Sequence, residues 1–215
     1  MHFHLKLSWH WLFTLGVALS LPPALLSAQP VEEDLWQSSY TLEKEGDYAA
    51  AEAILQPLLQ VEGDHREFAL LRSGWLSYLR QHYNEAIGHY RQAMAVNPFS
   101  LDAELGLVLV LQAQLRWKEA KIYANSVLKR APANYNAHLY LMAALSAQGE
   151  WTELEKAAKK VHAFYPTEIT PLLQLARALA WQMREGAALE AYHALLRRSP
   201  TNAEALNYIQ ARSSN

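Results

Sequence analysis

Histidine is the side chain of this sequence best suited to hold a metal ion or to transfer a proton near neutral pH. Six histidines follow residue 28: His65, His82, His89, His138, His162 and His193. Metal binding on a helix favours two ligands three or four residues apart, and no two of these histidines have that spacing. The pattern therefore predicts surface or packing roles for the histidines, with no metal site.

The short motifs that carry common enzyme chemistry are also missing. The sequence contains no GxxxxGK[ST] phosphate loop, no GxGxxG dinucleotide motif, no HExxH zinc motif and no GxSxG nucleophile motif. Catalysis requires nucleophiles, bases or ligands that converge on one site. The sequence therefore predicts no catalytic residue and no cofactor, and an enzyme is only a third alternative.

Clusters of like charge are placed where helix ends would favour them. Glu32, Glu33 and Asp34 stand at the expected start of a helix, where negative charge complements the helix dipole. The pairs 159–160 (Lys-Lys) and 197–198 (Arg-Arg) stand near expected helix ends, where positive charge is favoured. We interpret these clusters as solvated helix ends and not as catalytic groups.

The overall charge and the absence of cysteine exclude several classes of protein. The formal net charge is -2, and from residue 29 onward the chain carries 18 basic and 21 acidic residues, so no basic face for nucleic acid is predicted. With no cysteine, the protein has neither disulfides nor a thioether-linked lipid. Packing alone must then stabilise the fold.

Residues 1–28 have the composition of a secretory signal peptide. Lys6 and the amino terminus give a positive start, residues 11–21 are mainly apolar, and Pro22 and Pro23 precede small residues around a cleavage site after Ala28. We therefore predict export across the inner membrane to a bacterial periplasm. The alternative is an uncleaved anchor in the inner membrane, although the double proline interrupts the apolar stretch.

Prolines recur at a fixed interval in the rest of the chain. Pro98, Pro132, Pro166 and Pro200 are 34 residues apart. Before each proline, two helical patterns are joined by a short turn, and a fifth copy precedes them from about Glu32. The second pattern of each copy has a small or medium apolar residue that allows close helix approach: Ala51, Ala86, Ala120, Leu154 and Ala188.

This period and these small residues resemble the tetratricopeptide repeat across residues 32–202, most closely in the second helix of each repeat. The resemblance implies an all-α fold, an α-solenoid of about five helix-turn-helix repeats with a C-terminal capping helix. The repeats would span 32–66, 67–100, 101–134, 135–168 and 169–202, and the cap 203–212, within a domain of residues 29–215. The first helix of each pair would line a concave groove.

Transferring the groove positions of the family to this sequence gives a candidate partner-binding set. Its members are Trp36, Tyr40, Phe68, Leu71, Arg72, Trp75, Tyr78, Leu105, Leu139, Arg177 and Trp181. Family members that grip an acidic C-terminus use several Lys, Asn and Arg residues there. Only Arg72 and Arg177 could serve here, so the set instead predicts a partner segment with apolar or aromatic side chains.

The sequence thus predicts a non-enzymatic adaptor or chaperone-like scaffold that binds a protein segment in its groove during assembly of an envelope complex. A self-associating scaffold, forming a homo-oligomer, is one alternative. An assembly factor anchored in the inner membrane by residues 1–28 is another, and only this alternative involves the membrane.

Overall fold

The structure is a computed structural model that describes residues 28–213. Its helices are α1 (Ala28–Glu45), α2 (Tyr48–Ala53), α3 (Asp64–Leu79), α4 (Tyr83–Val96), α5 (Leu101–Ala113), α6 (Trp117–Arg130), α7 (Tyr135–Ala147), α8 (Trp151–Phe164), α9 (Ile169–Trp181), α10 (Glu185–Leu196) and α11 (Ala203–Ser213), with a 3-10 helix at Gln56–Gln60. This part of the chain has no strand, which confirms the all-α prediction. The predicted signal peptide lies outside the described residues except for Ala28.

The helices are stacked in antiparallel pairs. Each of α3, α5, α7 and α9 packs on the second helix of its own pair, and neighbouring pairs contact each other. The first helices also contact one another, α3 with α5, α5 with α7 and α7 with α9. Within residues 28–213, successive second helices do not contact one another as extensively as the first helices do. Because a curved stack is most crowded on its inner side, the first helices form the inner layer.

The turn inside every pair has the same backbone conformation. The first turn residue has a positive φ in all five pairs: Gly46 (85°), Gln81 (62°), Leu115 (60°), Gly149 (70°) and Met183 (57°). In each turn the next amide donates to a carbonyl five residues back, as from Arg116 N to Leu111 O at 2.8 Å. This is the helix-ending hydrogen bond that the left-handed residue makes possible. Glycine adopts the conformation without strain, whereas Leu115 and Met183 adopt it at a cost.

The tightest packing between pairs surrounds the ring of Tyr90 on α4. This ring is 4% exposed and lies against the backbones of Gly74 in α3 and Gly106 in α5. A Cβ atom added at Gly106 would lie 2.2 Å from the ring, and one added at Gly74 would lie 2.9 Å from it. Burial of the ring raises the pKa of Tyr90. Glycine at both positions therefore lets one ring join two successive pairs.

Polar side chains also join successive pairs, at the position after the small residue of the second helix. Glu52 in α2 accepts hydrogen bonds from Ser77 Oγ at 2.9 Å and Arg80 Nη1 at 2.7 Å. Lys121 in α6 forms an ion pair with Glu150, which precedes α8. Ion pairs this well hydrogen-bonded tolerate partial burial and fix the angle between pairs.

Glu155 in α8 shows the same arrangement most completely. Its carboxylate accepts from Lys159 Nζ at 2.6 Å, Arg184 Nη1 at 2.7 Å and Gln182 Nε2 at 3.0 Å. The Lys159 ammonium contributes most, and together these donors lower the pKa of Glu155 to about 2. The carboxylate therefore stays ionised while it joins α8 to the turn of the next pair.

The chain end after α10 packs back on the last pair. Asn202 Oδ1 accepts from Ala205 N at 3.0 Å at the start of α11. Ala205 is buried, and Tyr208 and Ile209 pack against the core of α9 and α10. Helix α11 thus covers the open apolar end of the stack.

No helix of residues 28–213 is both long and apolar enough to cross a membrane.

Replacing Gly106 by alanine tests the packing of Tyr90. The added methyl group would overlap a buried ring that also lies against Gly74, so we expect a loss of about 1–3 kcal/mol in unfolding free energy. Gly88→Ala is the matched control, because Gly88 lies on α4 with no atom within 4 Å of its added Cβ. This control should gain about 0.5–1 kcal/mol from helix propensity. Urea denaturation followed by circular dichroism measures both, and equal midpoints would contradict the packing.

Candidate functional site

The arrangement nearest to a catalytic site is the cluster of Glu52, Ser77 and His89. Ser77 Oγ lies 2.9 Å from Glu52 Oε1, and His89 Nε2 lies 3.1 Å from the same oxygen. In a catalytic triad the serine bonds the histidine, and the histidine bonds the carboxylate. Here both groups bond one carboxylate, and Ser77 is fully buried. The cluster is therefore a structural link between α2, α3 and α4.

The described residues also offer no metal centre. No group of three or more His, Asp or Glu side chains within residues 28–213 is placed to hold a metal ion. His138 illustrates the role of a buried histidine in this fold. Its Nε2 lies 2.8 Å from the carbonyl oxygen of Pro132, and burial lowers its pKa. The ring is therefore neutral and donates to the loop that precedes its own helix.

The most distinctive surface lies where α1 and α3 run side by side, and we call it the ring surface. Its members are Trp36, Tyr40, Phe68, Trp75 and Tyr78. Three contacts hold it together, each between residues 32 positions apart. The Trp36 and Phe68 ring centroids are 4.9 Å apart, Arg72 Cζ lies 3.6 Å from the Tyr40 centroid, and Trp75 Nε1 donates to Glu43 Oε1 at 2.8 Å.

This contact pattern follows from helix geometry. Trp36, Tyr40 and Glu43 have the spacing i, i+4 and i+7, which places them along one face of α1. The opposing residues on α3 at positions 68, 72 and 75 have the same spacing. The two faces therefore meet in register along about two turns of helix.

Three rings of this surface are exposed to solvent despite these contacts. Tyr40 is 47% exposed, Phe68 44% and Trp75 36%. Trp75 also stacks on Tyr78, with centroids 5.5 Å apart and planes inclined by 26°. Trp36 and Tyr78 are half-buried. Phe68 and Trp75 thus contact the half-buried rings of Trp36 and Tyr78, respectively, and these contacts fix their orientation.

Arg72 is placed behind the ring surface. It is 6% exposed, its Nε donates to Ser39 Oγ at 2.8 Å, and its Nη1 lies 2.8 Å from Glu43 Oε2. Ser39 in turn donates to the carbonyl oxygen of Ala51 at 2.8 Å. Arg72 therefore holds α1 against α3. Its predicted contact with a partner stays a prediction.

The predicted leucines of the middle helices are only partly accessible. Leu71 packs against the core around Tyr90, and Leu139 packs against the core around Met142. Leu105 on α5 is half-buried as well. These half-buried leucines form an aliphatic part of the inner layer. It extends from α3, which carries rings of the ring surface, along α5 and α7 toward Trp181 on α9.

Trp181 lies at the other end of the inner layer, three pairs away from Trp75. It is 62% exposed and stacks on Trp151, with centroids 5.1 Å apart and planes inclined by 3°. It borders a cavity of about 340 Å³, whose lining also includes Arg177, Met183, Glu204 and Tyr208. The structure thus does not bring Trp181 together with the ring surface.

Arg177 has its donors engaged within the chain. Its Nε and Nη2 donate to both carboxylate oxygens of Glu204 on α11, at 2.5–3.0 Å. This pairing lowers the pKa of the Glu204 carboxyl, which also accepts from Tyr192 at 3.0 Å. Arg177 therefore attaches α11 to α9, and its contact with a partner also stays a prediction.

Two residues of these sites escaped the sequence analysis. Glu43 lies seven residues after Trp36, so the helical period alone places it on the same face. Met183 is 86% exposed beside Trp181, in a left-handed turn position. No sequence signal identifies such a methionine, because glycine is the residue usually found there.

Comparison with known proteins gives matches in structure only. No protein-family model matches the chain, and no curated protein matches its sequence. A tetratricopeptide repeat protein from Parabacteroides merdae is 14% identical, with a TM-score of 0.75, and the match covers 83% of this chain and 71% of that one.

Two further solved structures are similar over almost their whole length. MamA residues 41 to the end, from Desulfovibrio magneticus, is 17% identical at a TM-score of 0.70, covering 80% of this chain and 97% of that one. YrrB, described as a tetratricopeptide repeat protein with an unusual peptide-binding site, is also 17% identical at a TM-score of 0.70, covering 87% and 96%. At these identities the similarity establishes the fold, and this chain therefore has the fold of the tetratricopeptide repeat proteins.

Proposed function

We propose that this protein is a non-enzymatic interaction module that binds a segment of another protein on its ring surface. The observation that carries the proposal is the exposure of Tyr40, Phe68 and Trp75 together on the inner layer. Leaving large apolar rings exposed to water costs free energy, so a contiguous group of exposed rings marks a contact surface. Aromatic residues are also the commonest anchors of protein–protein interfaces.

The rings are held in place before a partner arrives. Trp75 is fixed by its hydrogen bond to Glu43 and by its stacking on Tyr78. Tyr40 is fixed by the guanidinium of Arg72. Because little side-chain freedom remains to be lost, binding on this surface costs less entropy than binding on mobile side chains.

The fold and the chemistry of the described residues support the same proposal. YrrB shares this fold and is described as having a peptide-binding site. The buried carboxylates Glu52 and Glu155 are saturated by internal donors, which leaves them no free group to act on a substrate. An extended or helical segment with apolar or aromatic side chains fits the inner layer.

We further propose that the protein acts in the bacterial periplasm, as an adaptor or chaperone-like scaffold in the assembly of an envelope complex. The composition of residues 1–28 supports export. N-terminal sequencing of the protein isolated from its own cells tests this. A mature chain that starts near Gln29 supports cleavage, whereas a start at Met1 favours the anchored alternative.

Replacing Trp75 by alanine tests the proposed binding surface. The tagged full chain is incubated with an envelope extract, and the captured proteins are quantified by mass spectrometry. If Trp75 is an anchor, its loss should cost about 2 kcal/mol of binding free energy, or about thirtyfold in affinity. The proteins captured by the wild type should then be largely lost.

Ile122→Ala is the matched control, because Ile122 is an exposed apolar residue on the outer helix α6. This variant should capture the same proteins as the wild type. Phe68→Ala provides a second variant if Trp75→Ala is not fully helical by circular dichroism. Equal capture by a folded Trp75→Ala and a folded Phe68→Ala would overturn the proposal.

A further inference from the structure

The charges of the chain are divided unequally between its two halves. Residues 28–100, which form the first two helix pairs, contain 11 acidic and 5 basic residues, a net charge of -6. Residues 101–213 contain 10 acidic and 13 basic residues, a net charge of +3. The small overall charge of -2 hides this division. The ring surface belongs entirely to the acidic half.

The negative charge extends to the helices that carry the rings. Helices α1 and α3 together contain 7 acidic and 3 basic residues, a net charge of -4. Asp34 is exposed two residues before Trp36. Asp102 is exposed on α5, one repeat length after Phe68, and forms no ion pair with another residue of the described chain. Both carboxylates are therefore exposed on helices of the inner layer, Asp34 on α1 and Asp102 on α5.

The main cation of this surface is already neutralised. Arg72 pairs with Glu43 at 2.8 Å and is almost fully buried, so it does not repel an approaching cation. It also shows that the rings accept a guanidinium, since its Cζ lies 3.6 Å from the centre of the Tyr40 ring. Exposed faces of Trp and Tyr attract further cations by the same electrostatic interaction.

We propose that the segment bound on the ring surface is cationic, with Lys or Arg residues flanking apolar or aromatic side chains. This inference rests on the proposed function and specifies its partner. Apolar side chains of the segment would cover Phe68 and Trp75. Its cations would contact Asp34, Asp102 and the open faces of the rings, where charge complementarity also speeds association.

A second copy of this chain would neutralise the acidic residues around the ring surface less well than a flexible cationic segment would. The largest group of its basic residues, eight of the 18 within residues 28–213, lies on the outer helices, as at Lys129, Arg130, Lys159 and Lys160 on α6 and α8. Bringing that outer face onto the inner face of a neighbour would be a head-to-tail contact, which can propagate without closing. A flexible segment can reach the inner layer without that consequence.

Selection from a random peptide library tests the proposal without assuming a sequence. A library of random 12-residue peptides is selected on the full chain, with a parallel selection on Trp75→Ala. We expect the peptides enriched on the wild type alone to combine net positive charge with aromatic or aliphatic residues. A labelled peptide from this pool should bind more weakly as NaCl rises, because salt screens exposed charges.

Replacing Asp34 and Asp102 by asparagine removes their charge with little change in size, so it distinguishes an electrostatic contribution to binding from a contribution of shape. Asp34→Asn and Asp102→Asn should each weaken the selected peptide by about two- to fivefold, the range of an exposed ion pair. Glu190→Gln is the matched control, because Glu190 is exposed on the outer helix α10, and it should leave the affinity unchanged.

Enrichment of neutral or acidic peptides that still depend on Trp75 would overturn the charge inference and leave the proposed function standing. Enrichment of no peptide that depends on Trp75 would overturn the inference as well, and the capture experiment would then decide the proposed function independently. Concentration-dependent oligomers in sedimentation that dissociate in Trp75→Ala would identify a second copy as the occupant, which also overturns it.

Discussion

The whole structure depends on one constraint: a pair of helices cannot bury its apolar face alone, so each pair must complete the core of its neighbour. The ring of Tyr90 is the clearest case, because it belongs to the second pair and yet lies against the backbone of Gly106 in the third pair, as well as that of Gly74 in its own. The left-handed turns and the ion pairs of Glu52, Lys121 and Glu155 repeat at fixed positions for the same reason. Within residues 28–213 the turns recur in all five pairs, and the ion pairs join three of the four junctions between successive pairs.

This constraint also determines where the ring surface can form. Packing between pairs uses the sides of the helices, so the inner face of the first helices is left to solvent. On α1 and α3 this face carries large rings, and the register between the helices brings them into contact at a constant offset of 32 residues. Farther along the stack the same face carries leucines. The ring surface is thus a consequence of how the repeats pack, because it uses side chains that the packing between pairs leaves exposed.

Much of the fold was predictable from the sequence, because the equal proline intervals mark the ends of the helix pairs directly. The exposure of individual rings was not, since the 3.6-residue period places core and inner-face residues next to each other. Arg72 and Arg177 were predicted as groove residues. The carboxylates that engage them, Glu43 and Glu204, come from neighbouring helices, and their distances depend on how the pairs are stacked.

The charge division was visible in the sequence but carried no meaning until the rings were located. Only the structure shows that the acidic half is also the half with exposed aromatic side chains on its inner layer. The same applies to Trp181, which stacks on Trp151 at the far end of the stack and forms a separate aromatic site beside α11. The sequence prediction placed Trp181 in the same groove set as the rings of α1 and α3, but the structure places it at least three helix pairs away from them.

Hydroxyl-radical footprinting of the full chain, read by mass spectrometry, tests most directly whether the rings lie open on the inner layer. We expect Tyr40, Phe68 and Trp75 to be oxidised readily, like Phe99, which is highly exposed. Tyr90 and Tyr192, which are buried, should be oxidised far more slowly. Protection of Tyr40, Phe68 and Trp75 to the same degree as Tyr90 would show that these rings are not open to solvent on the inner layer.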